Sequence, residues 1–215
     1  NRFTVYCRKN KYALKCDIKS YFASIDQAIL FEIIKRKIKD PDVLWLIKLI
    51  IDSTPLAGIP IGNLASQIFA NLYLNELDHY LKEKVKCKHY IRYMDDLIVF
   101  SNEKKKLNDI KDTIREYLRR LKLELHPNKS QIYLTGKGIV FLGYKVYPTH
   151  RLVIKQNVKR LRVRARKYFE LLRIKLITRK KIICSIQSWL GYALHADSYY
   201  LLRKLRVEFN QGASP

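Results

Sequence analysis

Two aspartates stand side by side in "YIRYMDDLIVFS" (residues 90–101), in a chain with 43 basic and 19 acidic residues. Aspartate suits turns, and a solvated turn tolerates charge, so an Asp pair alone is commonplace. Three features make this pair a candidate for chemistry. Apolar runs flank it, so a packed hairpin presents Asp95 and Asp96. A second alternating segment, "KYALKCDI" (11–18), brings a third carboxylate, Asp17, near its end. The formal net charge is +24, so acids gathered on such a surface demand a cation. Carboxylates from neighbouring strands supply the hard oxygen ligands that Mg2+ prefers. Two such ions, about 4 Å apart, stabilise the attacking and leaving oxygens of phosphoryl transfer and cancel the repulsion between the acids.

The same charge points to a polyanionic partner, nucleic acid first. A membrane-surface protein is the alternative, but "VLWLIKLII" (43–51) carries Lys48 and is far too short to span a bilayer. No signal peptide is visible at the start. Cys7, Cys16, Cys87 and Cys184 form no CxxC pair and lack zinc-ligand spacing. "CKH" (87–89) is a weak metal hint beside the plainer reading of two strand-edge residues. Reduced thiols in the cytoplasm are expected.

The elements that must position the acids follow from periodicity. In 11–18, Tyr12, Leu14, Cys16 and Ile18 share one face, with Ala13, Lys15 and Asp17 on the other, which predicts a strand. A helix capped by Ser24 or Asp26 should turn Ile29, Ile33, Ile34 and Ile38 inward. Asp40 and Pro41 predict the cap and first position of another helix. "PLAGIPIGN" (55–63) reads as a loop, followed from about Ala65 by a helix with Ile68, Leu72 and Leu77 on one side. Strands at about 89–93 and 97–100 meet in a turn of Met94, Asp95 and Asp96. A helix with Leu107, Ile110, Ile114, Tyr117, Leu118 and Leu121 buried comes next, then short strands at "SQIYL", "GIVFLGYKV" and "RLVIK". From about Gln156 only helices are expected, so the class is α+β with a helical C-terminal part.

"YMDD" (93–96) resembles the motif of reverse transcriptases, and its neighbours resemble that family in order. "DIKSYFASID" (17–26) is similar to their first catalytic strand. "GIPIGNLASQIFANLYLNELD" (58–78) resembles the loop and helix beneath the incoming nucleotide. "LHPNKSQ" (125–131) resembles the next palm motif, "FLGYKV" (141–146) the primer grip, and "SWLGYALHADSYYLLRKL" (188–205) a bacterial thumb. The resemblance implies a right-hand polymerase palm of antiparallel sheet and packed helices over 1–154, with a remnant of the fingers at its start. A helical thumb would occupy 155–215. Only sixteen residues precede Asp17, too few for fingers, so a piece of a longer enzyme is expected.

By resemblance, Asp17, Asp95 and Asp96 are catalytic and, with the Ile18 carbonyl, would hold two Mg2+ ions, for which Mn2+ could substitute. Lys129 would protonate the departing pyrophosphate. Ser20 and Tyr21 would present backbone amides to the triphosphate, and Phe22 would gate against a 2′-hydroxyl, unless it is only a core aromatic. Ile61, Gly62 and Gln67 would line the nucleotide site. Phe141, Leu142, Gly143 and Tyr144 would position the primer end, with a plain core strand as the other reading. Residues 155–181 hold twelve Lys or Arg and one acid, Glu170. Among them Lys159, Arg160, Arg162, Arg164, Arg166 and Lys167 would hold phosphates without regard to sequence.

Within the family, Ile61 and Gln67 resemble the enzymes of diversity-generating retroelements, which copy a template RNA and misincorporate opposite adenine. A small basic accessory protein is then implied, besides template RNA, primer and cDNA, and dNTPs, with no membrane partner. A group II intron-like or CRISPR-associated reverse transcriptase is the nearer alternative. A non-catalytic nucleic-acid-binding module of polymerase-like fold is the more distant one.

Overall fold

The computed structural model describes residues 2–55 and 57–212, with side chains to residue 209. Leu56, in the expected loop, and 213–215, at the end of the expected thumb, lie outside the described residues. The chain divides into two compact units, residues 9–134 and residues 1–8 with 135–215.

The first unit is built on a four-stranded antiparallel sheet of order β2-β3-β1-β4. After helix α1 (Arg2–Lys9), whose residues up to Arg8 belong to the other unit, β1 (Tyr12–Cys16) forms a central strand with Ala13, Leu14 and Cys16 buried. A single turn α2 (Tyr21–Ser24) leads to α3 (Gln27–Lys37), whose N-terminus is capped by the Asp26 carboxylate accepting from Ile29 N–H at 2.9 Å. Helix α4 (Pro41–Asp52) starts at Asp40 and Pro41 as expected. The next helix, α5 (Leu64–Tyr73), is capped by Asn63 and buries Ser66, Phe69, Ala70 and Tyr73. Of the expected stripe, Leu77 is buried and Leu72 partly buried, but Ile68 faces solvent: on α5 the buried Phe69 and Tyr73 lie one position further along the 3.6-residue period. Helix α6 (Asn75–His79) runs into a π-helical turn at Tyr80–Lys84.

The hairpin β2 (Tyr90–Tyr93) and β3 (Asp96–Ser101) follows, then α7 (Lys104–Arg120) and β4 (Gln131–Leu134). Asp96 belongs to the strand and pairs with Tyr93, so the turn is Met94 and Asp95 alone. Leu14, Leu97 and Val99 of the sheet share one core with Leu30, Ile34, Ile51, Tyr73, Leu77 and the α7 stripe. Tyr117 is only partly buried there.

The second unit holds α1, a 3-10 turn at Thr135–Lys137, strands β5 (Ile139–Phe141), β6 (Tyr144–Val146) and β7 (Arg151–Val153), and helices α8 (Lys155–Arg173), α9 (Arg179–Leu194) and α10 (Tyr199–Gly212). "GIVFLGYKV" is thus a hairpin rather than one strand, because Leu142 and Gly143 take positive φ. Strands β5–β7 fall in one compact unit with the three helices, whereas the sequence grouped them with residues 1–134. Phe3 of α1 stacks on Phe141 at 5.0 Å, and Val158, Leu161, Trp189, Ala193 and Leu205 make the helical core.

Candidate active site

Asp17 follows β1 directly. The β1–β3 register pairs Cys16 with Leu97, so one further step sets Asp17 against Asp96. Backbone bonds fix the position: His126 N–H donates to the Asp17 carbonyl at 2.7 Å, and Lys19 N–H to the Glu124 carbonyl at 2.9 Å. Ile18 forms an isolated bridge with Leu125, with its side chain in the core. The segment before β4 is thereby held along the chain after Asp17, and it brings Lys129 to the site. Lys129 Nζ donates to Asp17 Oδ2 at 3.1 Å.

Asp95 occupies the hairpin turn. Burial raises its pKa, and the adjacent carboxylates of Asp96 and Asp17 raise it further against Lys129. Asp95 therefore feels both neighbouring acids. Lys15 Nζ lies 3.1 Å from Asp96 Oδ1, an electrostatic contact rather than an aligned hydrogen bond. The Asp17 and Asp96 carboxylates thus each have an ammonium at 3.1 Å. Sites that accept a lysine ammonium accept a cation, and carboxylate oxygens are the donor set of a hard divalent ion. Among the described residues no group of three or more His, Cys, Asp or Glu side chains is already drawn together as a metal cluster.

The turn has a support that the sequence reading did not single out. Arg92 of β2 is only 10% exposed in its side chain and makes a two-pronged pair with Asp78 of α6, Nε at 2.8 Å and Nη2 at 2.6 Å. Its Nη1 donates to Asn71 Oδ1 at 3.0 Å and to the Met94 carbonyl at 3.1 Å. Tyr90 adds a hydroxyl bond to Asp78 at 2.6 Å. Met94 stands at φ +54, a conformation that costs a non-glycine residue energy. The signal was an arginine inside an apolar strand two residues from the turn.

Ser20 also takes left-handed backbone, φ +47, and begins α2 without a side-chain cap. Tyr21 points inward, its hydroxyl donating to the Ala70 carbonyl at 2.5 Å. Phe22 is partly buried against the core and meets Tyr21 edge-on at 5.7 Å. The loop 57–63 docks on this turn: Ile59 N–H donates to the Phe22 carbonyl at 3.0 Å and Gly58 N–H to the Ile25 carbonyl at 2.9 Å. Gln27 Nε2 ties the loop down through the carbonyls of Thr54 at 2.9 Å and Gly58 at 3.0 Å. Gly58, at φ +83, is the glycine this contact requires, because a Cβ there would sit 2.7 Å from the Phe22 carbonyl oxygen. Gly62, at φ +107, has open space around it. Ile61 is 82% exposed, so it does not pack beneath the loop; Gln67 is also exposed, on the first turns of α5.

Asp17, Asp95, Asp96 and Lys129 are brought together in the unit of residues 9–134, which also holds Ser20, Tyr21, Phe22, Ile61, Gly62 and Gln67. Phe141, Leu142, Gly143 and Tyr144 lie in the other unit, at the β5–β6 turn. Lys159, Arg160, Arg164, Arg166 and Lys167 are exposed on α8. Arg162 differs: its guanidinium forks onto Glu208 of α10 at 2.9 and 3.0 Å. The "CKH" residues are plain structure, with Cys87 buried and His89 within 2.9 Å of Asn10.

The family description "Reverse transcriptase (RNA-dependent DNA polymerase)" matches residues 4–146. The chain is 28% identical over 222 residues to the Retron Ec73 reverse transcriptase of Escherichia coli, covering 94% of this chain and 68% of that protein. Its fold is similar to apo telomerase of Candida tropicalis, truncated from its C-terminal domain (TM-score 0.53, 18% identity, 66% of this chain and 34% of that chain). It is also similar to Candida albicans telomerase in complex with a TWJ fragment of telomeric RNA (TM-score 0.58, 11% identity, 72% and 33%). The chain therefore spans about a third of those solved chains. The fold is that of a reverse transcriptase-like polymerase, mixed helix and antiparallel sheet. With the family pattern running from before Asp17 to the end of β6 and through the Asp95–Asp96 turn, this chain belongs to the reverse transcriptase (RNA-dependent DNA polymerase) family.

Proposed function

We propose that the chain is the catalytic palm and thumb of an RNA-directed DNA polymerase that makes cDNA on a template RNA from dNTPs. The observation that carries this reading is the convergence of Asp17, Asp95 and Asp96, with Lys129 on Asp17 at 3.1 Å. Asp17 and Asp95, with the Ile18 carbonyl and Asp96 nearby, would hold Mg2+, or Mn2+ in its place. Divalent ions held there would make the primer 3′-hydroxyl more acidic and offset the charge on the leaving pyrophosphate. Asp96 acts mainly through Lys15, which offsets its charge. Lys129 holds a proton beside Asp17 and gives it to the departing pyrophosphate. The uncapped turn at Ser20 and Tyr21 offers backbone amides to the triphosphate, and the α8 cations hold the duplex by its phosphates. We place this activity in the cytoplasm; no helix among the described residues is long and apolar enough to cross a membrane.

The test is extension of a DNA primer on an RNA template with dNTPs and Mg2+, by the chain within its full-length protein. Template-dependent cDNA is expected. Binding without extension would instead favour the non-catalytic module.

Phe22 gates the sugar in this reading, and Gly58 sets its place. The Gly58→Ala methyl meets backbone atoms, the Phe22 oxygen at 2.7 Å and Ala23 Cα at 2.8 Å, which cannot swing aside. The loop must lift, at a cost of about 2–3 kcal/mol. Ribonucleotide use relative to deoxyribonucleotide use should rise in Gly58→Ala, as it should in Phe22→Ala, measured by paired incorporation assays. An unchanged ratio in both variants returns Phe22 to the core.

A second reading concerns the subtype. The Ile61, Gly62, Ser66 and Gln67 pattern favours a diversity-generating retroelement enzyme with an accessory protein, and Ile61 stands exposed, open to an incoming nucleotide. An isoleucine offers that nucleotide no hydrogen bond, so a correct pair gains less over a mismatch, and each 1.4 kcal/mol of lost discrimination costs about tenfold in fidelity. Sequencing of cDNA made by Ile61→Gln on adenine-rich RNA should show fewer errors opposite adenine, with template G, C and U little changed. Equal error spectra would favour a retron-type enzyme, to which the broad similarity with the Retron Ec73 protein already leans.

A further inference from the structure

Leu142 (φ +47) and Gly143 (φ +84) connect β5 to β6, both in left-handed backbone. A leucine does not settle there unless its surroundings hold it. The hold comes from two helices. The Tyr192 hydroxyl of α9 donates to the Gly143 carbonyl at 2.5 Å and accepts from Asn157 Nδ2 of α8 at 2.9 Å. Ile154 N–H donates to the same carbonyl at 3.3 Å. In return, the Tyr144 hydroxyl donates to the Tyr192 carbonyl at 2.8 Å, and the two rings stack at 4.7 Å.

The fit is close. A Cβ on Gly143 would stand 2.7 Å from the Tyr192 hydroxyl and 3.1 Å from Asn157 Nδ2, so the hydroxyl fills the space a side chain would take. Leu142, at the tip, is left 44% exposed. A strained turn, locked by a relay of side chains and presenting an apolar residue outward, is built to meet something.

We propose that Tyr192, supported by Asn157, is a positioning residue that sets the Leu142–Gly143 turn against the 3′-terminal nucleotide of the primer. The inference rests on the reading of Phe141 to Tyr144 as the primer grip. Leu142 packs against the terminal sugar, and Tyr192 keeps the turn from relaxing to ordinary negative φ. Because Asn157 lies on α8, the helix with the exposed cations, the duplex and the primer end are held by one hydrogen-bonded frame.

Tyr192→Phe removes only the hydroxyl; the ring stack and the bond from Tyr144 to the Tyr192 carbonyl remain. Primer KM should rise about tenfold with dNTP KM unchanged, while the melting temperature falls by only a few degrees, on the order of the loss of one hydrogen-bonded hydroxyl. Asn157→Ala should give a smaller rise, and the double variant no more than Tyr192→Phe alone, because both act through one hydroxyl. An unchanged primer KM in Tyr192→Phe overturns the proposal, as does an equal loss for every substrate. If the unmodified enzyme extends no primer, the reading of 141–144 fails and the proposal falls with it. If it extends normally and Tyr192→Phe matches it, the proposal alone falls.

Discussion

Asp95→Asn should cripple primer extension while raising the melting temperature of the metal-free protein at neutral pH. The first half follows from the loss of a charged oxygen beside Asp17 and Asp96; an amide in its place should slow extension on the order of a thousandfold, ~4 kcal/mol at the barrier. RNA–primer binding should be little affected, because the α8 cations are untouched. The second half follows from the direction of the pKa shift. Burial, then Asp96 and Asp17, raise the Asp95 pKa, so the folded chain favours its protonated form more than the unfolded chain does. That contribution is fully present below the ordinary carboxylate range, near pH 4, and is lost as pH rises through the raised folded value. At neutral pH the ionised carboxylate therefore opposes folding, and the neutral amide relieves it. The gain should vanish when melts are repeated near pH 3, where both side chains are uncharged. Mg2+ should raise the melting temperature of the unmodified chain and leave Asp95→Asn nearly unmoved. Near-normal extension by the variant would remove Asp95 from the chemistry, whatever the melting curves show.

The sequence disclosed the acids because their signals are local. "KYALKCDI" alternates cleanly, "YMDDLIVF" sets carboxylates between apolar runs, and the register that places Asp17 against Asp96 follows once β1 pairs with β3. The helix starts at Asp26, Asp40–Pro41 and Asn63–Leu64 sit at or near their expected places, since caps are written in one or two residues. What stayed hidden depends on partners distant in the chain. The inward face of α5 is decided by Tyr73 and Phe69 meeting the core, and Tyr73 also bonds the Leu121 carbonyl 48 residues away. The break at Leu142–Gly143 is stabilised by Tyr192, 49 residues on. Gly58 and Gly62 look alike in the sequence, yet only Gly58 has a backbone pressed against it. The join of β5–β7 to the C-terminal helices depends on ring stacking and a hydroxyl bond, which no periodicity announces.

Arg92→Leu should be the most destabilising single change near the site, and Arg92→Lys should separate its two roles. Arg92 is almost enclosed, and its fork occupies both oxygens of Asp78, one of which also takes the Tyr90 hydroxyl. Removing the guanidinium leaves a largely covered carboxylate without its counter-charge, which costs about 3–5 kcal/mol. Replacing both partners, Arg92→Leu with Asp78→Leu, should cost less than Arg92→Leu alone, because no charge is then stranded. Lysine keeps the charge near Asp78 but loses the planar fork. It cannot pair with Asp78 and also reach both the Asn71 side chain and the Met94 carbonyl, as the guanidinium does. Arg92→Lys should therefore unfold in urea at a midpoint much closer to the unmodified chain than Arg92→Leu does, yet extend primer about tenfold more slowly, because the Met94–Asp95 turn loses its tether. Single-turnover extension and urea unfolding on the same preparations give the two numbers. If both variants lose stability and activity in proportion, Arg92 acts through the fold alone; a slowed but stable Arg92→Lys assigns it the placement of the Met94–Asp95 turn.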